Sequence, residues 1–197
     1  MLGISSYKPK FQTTAESFIN EHQSELLKLI GKKITRFWIM WETNDDIWMN
    51  DAPIILEIEN KRYEFTAYQL DEFSLTINSF ELSEKLDWYG MGNEMPLEWR
   101  ENGKQELIRN LNKPILDIRI LTYNFISEFV ESGEKHETGN TLTGIEFVFK
   151  KDNKLDTENY FSVYNALDQN GIEKIEIKQG NQIGRISITG YNNAQKQ

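Results

Sequence analysis

The sequence predicts an α+β fold, mainly antiparallel β, built as two related β-meander halves behind an N-terminal amphipathic helix. Three observations carry this expectation. They are one apolar stripe of helical period near the N-terminus, period-two alternation through most of the remainder, and a common order of segments in the two halves.

The helix falls over residues 14–30, where Ala15, Phe18, Ile19, His22, Leu26, Leu29 and Ile30 recur at helical spacing. Thr13 and Glu16 have the spacing of a capping box, and Gly31 suits the left-handed position beyond the last turn. The period then changes. Ile34–Glu42 is aromatic and β-branched, Ile54–Glu59 alternates through Ile54, Leu56 and Ile58, and Asn60-Lys61 reads as a turn. Arg62–Gln69 and Phe73–Asn78 complete a meander of four strands. Residues 79–112 alternate poorly. Asp87–Arg100 holds two Gly, one Pro and two Trp and reads as an ordered loop, with a short helix after it through Leu107, Ile108 and Leu111.

Pro114 breaks that helix, and the second half begins at Ile115 with Leu116, Ile118 and Ile120 on one side of a strand. Asn124–Leu142 reads as a long polar hairpin loop. Gly144–Phe149, Tyr160–Tyr164, Ile172–Ile177 and Arg185–Thr189 follow as strands, and Tyr191–Gln197 as a frayed tail. The halves correspond in order. Gly31–Ile34 matches Asn112–Ile115, Ile54–Ile58 matches Ile145–Phe149, and Tyr63–Asp71 matches Tyr160–Asp168. The Leu-Asp pair closing both of the last segments favours internal duplication over the alternation that all antiparallel meanders share. The division is 1–111 and 112–197, forming one compact unit.

Composition excludes several chemistries. There is no Cys, hence no disulfide scaffold, thiolate metal site or Cys nucleophile. The two histidines, His22 and His136, lack zinc-site spacing. No nucleophile elbow or phosphate loop occurs, and Gly90-Met91-Gly92 has no strand before it of the dinucleotide-binding kind. No metal or cofactor is expected. Asp71 and Asp168 end matching strands, but Asp is a favoured turn residue, so a turn role outweighs a carboxylate pair. The N-terminus has no apolar leader-like run, and no window nears the ~18 apolar residues of a membrane span. The expected location is the cytoplasm.

The charge is uneven. Net charge is −9, but Glu42–Glu98 alone holds fourteen Asp and Glu against Lys61, Arg62 and Lys85, a net of −11. All five Trp lie in the first hundred residues. Trp amid carboxylates is the composition of a recognition surface with aromatic anchors and a charged rim. Asp45, Asp46, Trp48, Asp51, Trp88 and Trp99 are the candidate partner-binding residues. Such a surface repels nucleic acid and membranes and attracts a basic protein.

In type the chain is similar to bacterial immunity proteins, small acidic chains that neutralise toxins. The likeness covers no alignable motif, so no residue roles follow from it. The expected function is a non-enzymatic protein-binding module of that inhibitor type. The alternatives are a carboxylate-dependent hydrolase and an assembly module using β edges such as Arg185–Thr189.

Overall fold

The computed structural model describes residues 2–101, 103–124, 126–128, 132–137, 139–150, 159–175 and 183–194. In chain order the elements are α1 (Ala15–Leu27), β1 (Ile34–Glu42), β2 (Ile47–Trp48), β3 (Ile54–Ile58), β4 (Lys61–Tyr68) and β5 (Glu72–Ile77). A single 3-10 turn at Trp88–Gly90, β6 (Leu97–Glu101) and α2 (Gln105–Ile108) lead to the second sheet. There β7 (Ile115–Tyr123), β8 (Ile126–Glu128), β9 (Lys135–Glu137), β10 (Thr141–Phe149), β11 (Asn159–Asn165), β12 (Asn170–Glu173), β13 (Ile183–Ser187) and α3 (Ile188–Ala194) follow. The architecture is the expected α+β fold of mostly antiparallel sheets with an N-terminal helix.

Both sheets carry the same strand order. In the first, β6 lies beside β1, and β1, β3, β4 and β5 follow as a meander, with the short β2 also on β1. In the second, β13 lies beside β7, and β7, β10, β11 and β12 follow. The matched segments 31–34 and 112–115 pair with each other antiparallel. Gly31 N–H donates to the Ile115 carbonyl at 2.7 Å, and Ile115 N–H donates to the Lys32 carbonyl at 2.8 Å. This likeness of order does not confirm duplication, because any meander closed by its last strand on its first produces it.

Alternation sends Phe37, Ile54, Leu56, Phe65 and Phe73 of the first sheet and Ile118, Ile120, Ile145, Phe147 and Phe161 of the second into one core. The Phe65 ring meets Phe147 edge-on at 5.9 Å across the two sheets. Helix α1 adds Phe18, Ile19 and Leu26 to this core. A smaller core covers the other face of the first sheet, where Leu2, Ile4, Tyr7, Phe80 and Trp88 pack over Trp38, Met40 and Ile55. Trp38 and Trp41 therefore serve opposite faces of β1, Trp38 in the smaller core and Trp41 against the main one.

Local chemistry shifts several boundaries from expectation. Thr14, not Thr13, caps α1, its hydroxyl accepting the Ser17 N–H at 3.2 Å. The β3–β4 turn is Glu59-Asn60, both left-handed as a two-residue hairpin turn requires. Leu116 points outward, 52% exposed, because a register shift opposite Val148 and Phe149 turns it off the inner face. The polar stretch 124–142 holds the small β8–β9 hairpin. The strand expected over Arg185–Thr189 ends at Ser187, and α3 takes in residues 191–194 of the expected frayed tail, whose residues 195–197 lie outside the described residues. Ile177, expected to end a strand, lies outside the described residues.

The outer face of the second sheet holds a fully buried carboxylate. Glu146 accepts Arg119 at 3.0 Å and Arg185 at 3.0 Å, with the Ser162 hydroxyl at 3.3 Å. Two guanidinium groups offset the cost of burying that charge.

Candidate functional site

The six sequence candidates fall in three places. Asp45 and Asp46 sit in the β1–β2 turn, where the Glu42 carboxylate accepts the N–H groups of Asn44 and Asp45. Asp46 accepts Arg100 at 2.9 Å and the Trp41 indole N–H at 2.8 Å, and both hydrogen bonds, Arg100 first, hold its carboxyl below the usual range. Trp48 pairs with Trp41 across the strands, and the Lys104 ammonium lies 4.1 Å over its ring. Trp88 is buried in the smaller core, and the half-buried Trp99 stacks on Phe80 at 5.7 Å. Asp51 stands apart from all of these, at a seam between the two sheets.

That seam is a rim of three loops: the β2–β3 loop, the β4–β5 tip and the β11–β12 tip. Two buried asparagines stitch it together. Asn170 donates to the Asn50 carbonyl at 3.0 Å and the Ala52 carbonyl at 2.9 Å, while its side-chain oxygen accepts the Ala67 N–H at 2.8 Å. Asn165 donates to the carbonyls of Gln69 and Glu72, each at 3.0 Å, and accepts the Asp168 N–H at 2.9 Å. Asp168 in turn accepts the Gln69 N–H at 2.6 Å, and Asn50 donates to the Gln169 side chain at 2.7 Å. Each tip is held by the other sheet, so the rim is preorganised.

Its surface is apolar and acidic. Leu70 and Leu167 are 63% and 61% exposed, and each is the chain neighbour of one end of the Gln69–Asp168 bond. Tyr68 is also exposed and lies 5.1 Å from the Phe11 ring. Leu167 holds φ at 63°, Asp168 at 78° and Gln69 at 51°. A left-handed Leu is uncommon and costs about 1–3 kcal/mol, strain of the sort that concentrates at functional sites.

Partial burial, and then the charge of Asp168, raises the Asp51 carboxyl above its ordinary value. Among the described residues no Lys or Arg forms an ion pair with Asp51, Asp71 or Asp168. Asp71 also lines a cavity of about 480 Å³ at the start of α1, together with Thr13, Glu16 and Asn140.

Sequence reasoning placed Asp51 among the candidates, but not Leu70, Leu167 or the two asparagines. The one available signal was the Leu-Asp pair ending both matched segments, which stands at the two tips that meet here. Asp168 does occupy a bend, yet its carboxylate caps the opposite hairpin rather than its own backbone. Among the described residues no group of three or more His, Asp or Glu is placed to hold a metal ion, and no helix is long and apolar enough to cross a membrane. No family model, no curated protein and no solved structure matches the chain.

Proposed function

We propose that the chain is a non-enzymatic protein-binding module, an inhibitor of the immunity-protein type acting in the cytoplasm, which docks a basic partner such as a toxin through this rim. The observation that carries the reading is the rim itself. Exposed Leu70 and Leu167 adjoin Asp71 and Asp168 in the chain, and Asp168 acts on Asp51; among the described residues none of the three carboxylates has an ion-pair partner, and their loops are fixed by buried hydrogen bonds. Apolar side chains on a rigid frame supply affinity, and unneutralised carboxylates steer a positively charged partner toward them. The acidic β1–β2 turn with Asp45 and Asp46 adds to that field.

A hydrolase reading has one observation in its favour, the raised carboxyl of Asp51 beside Asp168. The Gln69 N–H already engaged on Asp168 favours a structural use of that carboxylate. The experiment is capture of partners at low and high salt by the native protein and by the Asp51→Lys/Asp71→Lys variant. The proposal expects a basic protein retained by the first, weakened by salt and lost from the second. Equal retention by both proteins removes the rim from the account.

A further inference from the structure

Strand β6 closes the edge of the first sheet opposite β5 and, among the described residues, pairs with β1 alone. Its register sets Leu97 against Glu42, Trp99 against Met40 and Glu101 against Trp38. Thr43 N–H donates to the Pro96 carbonyl at 3.0 Å, so residues 43 and 96 form a hydrogen-bonded position and Leu97, Trp99 and Glu101 fall at the alternate ones. The backbone N–H and C=O groups of those three residues point away from β1. Among the described residues no strand pairs with them.

A cleft of about 690 Å³ runs beside this edge, lined by Trp38, Trp99, Leu82, Leu86 and Leu97, with Glu84, Glu98 and one cation, Lys85, also at its wall. The Trp99 indole N–H is buried without an acceptor. A buried donor without an acceptor is unfavourable, so its resonance is a sensitive reporter of any change at this edge. Charge completes the picture. Residues 81–101 carry six carboxylates against Lys85 and Arg100; Glu81 pairs with Arg62, Glu98 with Arg100, and Arg36 lies 5.0 Å over the Trp38 ring, while Glu84, Asp87, Glu94 and Glu101 form no ion pair among the described residues.

We infer that the β6 edge and the Trp38–Trp99 cleft take an extended, Lys- or Arg-bearing segment of a protein partner as an added strand. Main-chain hydrogen bonds to Leu97, Trp99 and Glu101 provide the pairing. Alternate side chains of the segment enter the cleft, where the aliphatic stem of a Lys or Arg packs on indole while its charge meets carboxylate. A second copy of this chain is disfavoured as the occupant, because two chains of net charge −9 repel. The site lies at the edge of the sheet away from β5 and does not rest on the rim, so either can fail without the other.

The test uses three capped synthetic peptides with the intact protein. One alternates Lys and Val, one alternates Glu and Val, and one is the Lys–Val peptide N-methylated at alternate amides. Hydrogen exchange and the Trp99 indole proton resonance are followed through each titration. The expected result is saturable binding of the Lys–Val peptide, slowed exchange at Leu97, Trp99 and Glu101, and a shifted Trp99 indole proton. The Glu–Val peptide, the N-methylated peptide and the Glu84→Lys/Glu98→Lys variant should each weaken binding by about tenfold or more. Leu70→Ser/Leu167→Asn should leave it unchanged, which separates this site from the rim. Absence of saturable binding, equal binding of the Lys and Glu peptides, undiminished binding after N-methylation, or self-association through β6 overturns the inference.

Discussion

The Asp168 carboxylate accepts the backbone N–H of Gln69 at 2.6 Å, so a residue at the tip of the second sheet caps the tip of the first. The rim depends on such exchanges between sheets. Its rigidity is therefore a property of the packed molecule rather than of any one hairpin.

Asn170 is the residue whose loss should loosen the rim most. It is 1% exposed and holds three backbone groups, two from the β2–β3 loop and one from the end of β4. Asn170→Ala strands the Ala52 carbonyl and the Ala67 N–H, the Asn50 carbonyl keeping the backbone N–H of residue 170 at 2.8 Å, and is expected to cost about 2–3 kcal/mol in urea unfolding. Exchange at the Ala67 amide should rise in the same variant.

Asp51 carries the opposite expectation. Its carboxyl is raised in the folded chain, so the fold holds that proton more tightly than the unfolded chain does. Ionised Asp51 therefore opposes folding at neutral pH. The penalty shrinks as pH falls through the raised value and is gone below the unfolded value of about 3.9. Asp51→Asn should raise the melting temperature at neutral pH, with a gain that vanishes at acid pH. A gain that is constant with pH would contradict this assignment.

Leu167 tests whether backbone strain is kept for display. Leu167→Gly relieves the left-handed φ of 63° and should stabilise the fold by about 1 kcal/mol despite the added chain entropy of Gly. The same change removes an exposed apolar contact, so stability should rise while partner retention falls. Denaturant midpoints measured beside capture yields check both halves of this expectation.

Glu25 fastens α1 to the first sheet. Its carboxylate accepts Lys28 at 2.6 Å, Lys61 at 2.8 Å and the Tyr63 hydroxyl at 3.0 Å, and these bonds, Lys28 first, hold its pKa at about 2. A depressed carboxyl stabilises the fold above its unfolded value of about 4.3. That contribution is lost as pH falls through about 2. Glu25→Gln should cost about 1 kcal/mol at neutral pH and almost nothing near the lower value.

Much of the scaffold was legible because alternation and helical period are local signals. β1 matches its expected bounds, and most other strands depart from theirs by a few residues at the ends. What escaped depends on distance or brevity. β6 does alternate, through Leu97 and Trp99, but a five-residue run beside Pro96 carries too little period to separate it from a loop. The turn of Leu116 requires a bulge set by a neighbouring strand. The turn's glycine is Gly171, four residues past Leu167, so nothing at Leu167 itself announces a left-handed backbone, and the binding of Asp168 to Gln69 joins residues 99 apart in sequence. The acidic Trp-rich composition was visible at once, yet the structure divides it among a turn, a buried core and the rim.

The central claim is that the rim, rather than the acidic surface at large, engages a basic protein. It is tested most directly by side-by-side capture from the native cell lysate with the wild-type chain and Leu70→Ser/Leu167→Asn. This pair leaves every carboxylate in place. The account predicts a basic protein that the wild type retains at low salt and the variant loses, with both chains folded to the same melting temperature or the variant slightly above it. Retention of the same protein by both chains would contradict it.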